Sequence, residues 1–257
     1  MQGVEEHRLA DGLAVVHSAR APDKTTPNED AAAVIPLPDG AAVLAVADGL
    51  GGARGGDQAA ALAIHCLADA LAQRPADGSV RGAILDAFEV ANEAVLGLGV
   101  GAGTTLSVVE IAGRAVRPYH AGDSAILVIG QRGRVKLQTV SHSPVGFAVE
   151  SGLIDQDDAL HHEQRHVVSN VLGVSDMRIE MGSELLLAQR DTLLLASDGL
   201  LDNLLAHEIV ERIRKGPLVS GAQALAADAG RRMREPAAGE PSKPDDLTFV
   251  AYRPGNR

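Results

Sequence analysis

The sequence predicts an α+β protein in which paired helices cover largely antiparallel sheets. Short runs rich in Val, Leu, Ile and Ala arrive in groups, and longer segments with 3.6-residue spacing arrive two at a time. Strands and helices therefore do not alternate one for one, as a doubly wound parallel sheet would require; segregated layers fit the order better. Length alone leaves open one large domain or two small ones.

In chain order, strands are expected at residues 13–17, 31–35 and 41–47, followed by helices at 56–73 and 80–96. Four strands follow at 104–111, 116–120, 125–129 and 134–139, then another at 192–196. Helices at 207–214 and 219–234 come next, and a strand at 247–252 closes the pattern. Two segments carry loop chemistry: 20–30, with Pro22, Asp23, Pro27 and Asn28, and 235–246, with Pro236, Gly239, Pro241 and Pro244. Both loops end on acidic residues that lead straight into a strand.

Composition excludes several functions. The formal charge of −11 and the absence of Trp argue against a phosphate-backbone surface or a base-stacking platform, so no nucleic-acid partner is expected. The first thirty residues carry Glu5, Glu6 and Asp11 and no unbroken apolar stretch, and no signal peptide is expected. No later run approaches the roughly 20 apolar residues of a membrane helix. The lone Cys66, beside Leu62, Ala63 and Leu67, reads as a small core residue, with no disulfide framework to build. A cytoplasmic home is expected.

Four places share one design, an apolar strand meeting a short acidic turn. They are Asn28-Glu29-Asp30, Ala47-Asp48-Gly49, Ser197-Asp198-Gly199 and Asp245-Asp246; Gly122-Asp123-Ser124 is a weaker fifth. One Asp-Gly after a strand is an ordinary turn. Two near copies, Ala-Val-Ala-Asp-Gly-Leu and Leu-Ala-Ser-Asp-Gly-Leu, point further. Two carboxylates ~4 Å apart repel by roughly 4 kcal/mol at an effective dielectric near 20. Hard divalent cations remove that cost, and oxygen-only ligation suits Mg²⁺ and Mn²⁺. The glycine at 49 would let the backbone come close enough for its carbonyl to be a ligand as well.

These residues resemble the metal-dependent protein phosphatases of the PP2C (PPM) type, in bacterial style. The resemblance runs through Asn-Glu-Asp at 28–30, Val-Ala-Asp-Gly-Leu-Gly-Gly at 46–52, Gly-Thr-Thr at 103–105 and Ala-Gly-Asp-Ser at 121–124. It continues through 141–143, 152–154, 170–173, 195–202 and Asp-Asp-Leu-Thr at 245–248. It implies two antiparallel sheets packed face to face with helix pairs outside, in a single domain over 1–257. It implies Asp48 as the bridging metal ligand with the Gly49 carbonyl beside it, Asp198 and Asp245 at the main site, and Glu29 and Asp30 around the second ion. Asp123 matches a ligand of a third, weaker ion. The expected activity is hydrolysis of phosphoserine and phosphothreonine in proteins, with two Mn²⁺ or Mg²⁺ ions and a shared water of lowered pKa. The expected partners are phosphoprotein substrates and a cognate Ser/Thr kinase. Thr104, Thr105 and Ser107 read as strand residues, not nucleophiles, with no adjacent base apparent.

Three positions depart from the family pattern. Thr25 stands where an arginine often binds the substrate phosphate, and Lys24 beside it is the expected replacement, as a point charge. Ser141 replaces the first residue of Asp-His-Ser, and Asp246 replaces an asparagine. His142 stands near substrate or is a satisfied structural histidine. His162-Glu163-Gln164-Arg165-His166 matches the zinc-peptidase pattern, but Val167 and Val168 follow at once and a third ligand is missing; His161 reads as a solvated loop residue. The glycines after Asp48 lack Gly-Lys-Ser/Thr, which excludes a P-loop. The Arg231-Arg232-Met233-Arg234 run reads as a helix end. A non-catalytic binding module of the same fold is the other class to weigh, and the presence of Asp48, Asp198 and Asp245 disfavours it.

Overall fold

The computed structural model describes residues 3–38, 40–50, 55–160 and 162–255, with side chains left aside at 156 and 157. Gly51, Gly52 and Arg54 of the glycine-rich turn and His161 lie outside the described residues.

One sheet has the order β1-β2-β12-β11-β7-β8: Glu5–Leu9, Gly12–Ala19, Leu247–Pro254, Thr192–Ala196, Ala125–Ile129 and Val135–Gln138. The other runs β10-β6-β5-β4-β3: Leu185–Leu186, Ala115–Ala121, Leu106–Ala112, Ala42–Asp48 and Asp30–Pro36, with β9 (Glu180–Met181) also on β6. Every named pairing is antiparallel.

Three apolar layers explain why β4 and β11 read as continuous apolar runs. In β4, Val43, Ala45 and Ala47 pack against α1 (Gly56–Gln73) and α2 (Val80–Gly97) through Ala63, Leu67, Ile84 and Phe88. The alternate residues Ala42, Leu44 and Val46 face the other sheet and meet Ile126, Val128, Leu193, Leu195 and Val250. In β11 the same division sends Leu193 and Leu195 between the sheets. Leu194 and Ala196 face α6 (Ala206–Ile213) and α7 (Leu218–Arg234). Burial on both faces removes the polar alternation of a half-solvated strand, and the result is an α-β-β-α sandwich.

The expected helix pairs are present, α1 with the expected bounds. The additions are short or polar. β1, Glu-Glu-His-Arg-Leu, is an edge strand whose charged residues suit an unpaired border. α3 (Pro144–Glu150) opens with a readable signal, Ser143 accepting the Gly146 N–H and Pro144 at its first position. Its seven residues are too few to show a period. α4 (Gln156–Ala159) and α5 (Asp198–Leu201) have four residues each. β5 begins later than expected because Thr104 pairs separately with Gly49 and Leu172. Cys66 packs half-buried against the α1/α2 layer.

Candidate functional site

The antiparallel register of β3 and β4 places Asp30 opposite Asp48. In the other sheet β11 ends at Ala196, between Ala125 of β7 and Phe249 of β12, so Asp198 emerges beside the turns carrying Asp123 and Asp245. Ser197 joins the two sheets. Its hydroxyl donates to Asp30 Oδ2 at 2.8 Å and accepts the Thr248 N–H at 3.1 Å.

The backbone of Asp48 is held from behind. Its N–H donates to Thr105 Oγ1 at 3.0 Å, and its carbonyl accepts the Thr105 N–H at 2.8 Å. Thr105 and Ser124 share a hydroxyl hydrogen bond of 2.7 Å, and Ser107 donates to the Ser124 carbonyl. The Gly-Thr-Thr segment therefore positions Asp48, a role that strand periodicity does not announce. The two glycines after the aspartates are demanded by close backbone approach: a Cβ on Gly49 would collide with the Gly56 carbonyl, and one on Gly199 with the Asp246 carbonyl.

Glu29, Asp48, Gly49, Asp123, Asp198 and Asp245 line one cavity of about 270 Å³, together with Lys243 and His166. Asp30 lies beside Asp48, tied to Ser197. Burial, then Asp30, Asp198, Asp123 and Asp245, hold the Asp48 carboxyl well above the usual carboxylate range. Burial foremost, with Asp198, pushes Asp30 to about 7 and Asp123 to about 7, and Asp245 is also raised. Such a group cannot ionise together without a cation.

One ammonium already stands in that place. Lys243 Nζ lies 2.6 Å from Asp198 Oδ2, 2.9 Å from Asp202 Oδ2 and 3.1 Å from Asp245 Oδ2. Burial alone would lower its pKa, but Asp198 and Asp202 more than offset that and raise it. The donor set is all oxygen, and a cation is drawn into it, so the residues fit hard divalent ions.

Lys24 stands behind the cavity wall, paired with Glu29 and Asp246, which both line it. Its Nζ is 2.7 Å from Glu29 Oε2 and 2.6 Å from Asp246 Oδ2, and it is not among the residues lining the cavity. Asp246, buried, also accepts the backbone N–H groups of Ala21 and Glu29, at 2.7 and 2.6 Å. This carboxylate thus staples one acidic loop to the other. The sequence carried a signal for it, a second acid beside Asp245, but not its direction.

His142 is buried and satisfied. Its Nδ1 accepts the Gly122 N–H at 3.1 Å, next to Asp123, and its Nε2 lies 3.1 Å from Glu180 Oε2. His120, stacked on it at 4.4 Å, donates through Nε2 to the Val140 carbonyl, and burial foremost lowers the pKa of this ring. His120, His142 and Glu180 are close enough to hold an ion. His120 Nε2 and both His142 ring nitrogens are already engaged by the Val140 carbonyl, the Gly122 N–H and Glu180, so the stacked pair reads as a brace for the Asp123 turn. Residues 163–166 form a turn and not a helix, which removes the zinc-peptidase geometry of His162 and His166. Arg232 is more than a helix end: it is buried, and its guanidinium donates to both carboxylate oxygens of Glu208 and to the Asn203 carbonyl.

Comparison with known proteins identifies the family and the fold. The family profile described as Protein phosphatase 2C matches residues 19–226. The serine/threonine phosphatase stp of Listeria welshimeri is 31% identical over 206 residues, covering 73% of this chain and 77% of that protein. The serine/threonine phosphatase of S. agalactiae superposes with a TM-score of 0.80 at 25% identity, covering 93% and 98% of the two chains. The catalytic domain of the phosphatase PstP, solved with 2 manganese ions, superposes at 0.77 with 24% identity over 95% and 98%. With the profile spanning most of the sandwich, this chain belongs to the protein phosphatase 2C family.

Proposed function

We infer that the chain is a metal-dependent phosphatase that removes phosphate from serine and threonine side chains of proteins. The observation that supports this best is the convergence of Glu29, Asp48, Asp123, Asp198 and Asp245, from separate strand ends, on one cavity. The same convergence disfavours a non-catalytic module, which has no need of five carboxyls at such electrostatic cost.

In this proposal Asp48, the Gly49 carbonyl, Asp198 and Asp245 hold the main Mn²⁺ or Mg²⁺ ion, Glu29 and Asp30 serve the second, and Asp123 contributes to a third, weaker one. When bound, the ions supply neutralisation of the phosphate oxygens and a water acidic enough to attack near neutral pH. The chain's own groups do the rest. Thr105 fixes Asp48 through both backbone groups, and Ser197 fixes Asp30. Two ammonium groups are candidates for orienting the phosphate. Lys24 is one residue from the position the family pattern suggests, but two short ion pairs engage it. Lys243 lines the cavity, and its ammonium would be free for the phosphate when Asp198 and Asp245 hold a metal ion, so the geometry favours Lys243.

A cytoplasmic setting, a single catalytic domain over 1–257 and a cognate Ser/Thr kinase complete the proposal. The lone half-buried cysteine and the core shared by both sheets support the first two; phosphorylated substrates require some kinase. No described helix is long and apolar enough to cross a membrane. The test is hydrolysis of a phosphothreonine peptide by verified metal-stripped protein, before and after adding Mn²⁺. Activity is expected only after addition; full activity in excess EDTA would overturn the reading.

A further inference from the structure

Beside the acidic cavity lies a second, half-open cleft of about 320 Å³ whose wall is mostly apolar. Asp123 and Asp198 line both spaces, so the two are neighbours that share part of one wall. Leu127 of β7 and Ile209 of α6 form part of the wall, and Val145 and Val149 of α3 face them. Leu160 and Leu201 complete it. A flaw in core packing would be closed and dry; this cleft opens, and Ser141, Ser143 and Asp202 lie among its lining. Its volume is at the lower end for a small-molecule pocket, near 300 Å³, which suits one or two side chains.

We propose that this cleft is a subsite for an apolar side chain flanking the phosphorylated residue of the protein substrate. The inference rests on the phosphatase reading above and specifies its substrate class. A phosphoserine or phosphothreonine held at the aspartates must send its chain away from them, and the apolar opening shares their wall. The occupant is a peptide neighbour because the cleft is walled in part by Asp123 and Asp198, two of the carboxyls at which the phosphorylated residue would be held. Its charged lining sets Asp123, Glu150, Asp198 and Asp202 against Arg165, so the balance is acidic and an acidic neighbour is disfavoured. An apolar side chain entering a pocket of this kind gains about 10-fold or more in kcat/KM over a smaller one.

The experiment compares phosphothreonine peptides in which each flanking position in turn carries Leu, Ala or Asp, with N-acetyl-phosphothreonine methylamide as the flank-free substrate. With wild-type enzyme and saturating Mn²⁺, Leu at one position should exceed Ala by about 10-fold in kcat/KM, with Asp lowest. Val149→Asp should bring the Leu-to-Ala ratio at that position close to one. The ratio is read within each protein, so a partly unfolded variant does not imitate the result, and the wild-type profile decides the matter if the variant fails to fold. A flat profile with the flank-free substrate still cleaved would overturn the subsite alone, leaving the cleft to a second copy or a small apolar molecule. No hydrolysis of any phosphothreonine compound would overturn both readings.

Discussion

Asp48 and Asp198 end two strands of nearly the same sequence, yet the protein offsets their charge in opposite ways. Asp48 is surrounded by carboxyls: Asp30 stands opposite it in register, and burial with Asp30, Asp198, Asp123 and Asp245 pushes it strongly toward the protonated form. Asp198 faces the same cluster, but its Oδ2 receives the Lys243 ammonium at 2.6 Å. The difference arises in how the chain continues beyond each strand. β11 turns at once into α5, which brings Asp202 and the 235–246 loop with Lys243 against it. Asp48 is instead pinned through its backbone by Thr105, which leaves its carboxylate free of that duty. One end therefore needs a proton or a metal ion, and the other carries its own cation.

The largest effect expected from breaking this comparison is on the aspartates themselves. Asp48→Asn and Asp198→Asn should each lower kcat by at least about 100-fold, since even outer partners of metal ligands carry 10- to 100-fold. Both proteins should stay folded: Asp48→Asn relieves charge repulsion, and Asp198→Asn leaves Lys243 paired with Asp202 and Asp245. Circular dichroism beside phosphothreonine-peptide kinetics checks this; near-normal turnover in either variant would break the assignment. Lys243→Ala separates the two ends. If the ammonium competes with metal at Asp198 and Asp245, calorimetry should show Mn²⁺ binding tightened by about 10-fold, ~1.4 kcal/mol, while the metal-free protein melts at lower temperature. Unchanged affinity would mean that Lys243 moves aside without cost.

The sandwich was legible because its interior strands are long and apolar: β4 and β11 carry enough Val and Leu to be recognised before their partners are known. The acidic strand ends were legible for the same reason, since a carboxylate closing a buried strand is costly and therefore conspicuous. What escaped was anything without a period. α3 had a cap and a proline but seven residues, and Asp246 was known as an acid but not as the acceptor of two backbone N–H groups from a loop more than two hundred residues earlier. Lys243 carries no signal of its own among the prolines of the 235–246 loop, and only the fold brings it to three aspartates.

Proton binding sharpens the comparison. Asp30 and Asp123 hold a proton in the folded, metal-free protein up to about pH 7, whereas their ordinary value is 3.8. The stability gained from those raised values is complete below about pH 4 and is lost as pH rises through about 7. Metal-free Asp30→Asn, which cannot ionise there, should gain melting temperature relative to wild type across that window, by a few degrees on the scale of ~2–4 °C per kcal/mol. Mn²⁺ should shrink the difference at pH 7.5, because metal and proton compete for the same oxygens. A pH-independent difference between the two proteins would break this account.

The smallest effect is expected at Lys24, where two roles must be told apart. If Lys24 binds the substrate phosphate, its loss should raise KM at saturating metal by about 10-fold, ~1.4 kcal/mol. Its surroundings argue for the other role. Nζ holds Glu29 at 2.7 Å and Asp246 at 2.6 Å, and raising the Lys24 pKa against the pull of burial is the work chiefly of Asp246. Releasing the ammonium to a phosphate would leave a buried Asp246 carboxylate with only its two backbone donors. Lys24→Met should therefore leave KM at saturating Mn²⁺ nearly unchanged and weaken metal binding about 3-fold, ~0.7 kcal/mol, as for a partly solvated ion pair. Arg20 makes one exposed contact, to the Thr26 carbonyl at 3.5 Å, so Arg20→Ala should change neither quantity. A 10-fold rise in KM with metal affinity intact would return the phosphate to Lys24 and leave Lys243 as a counter-ion to the acids alone.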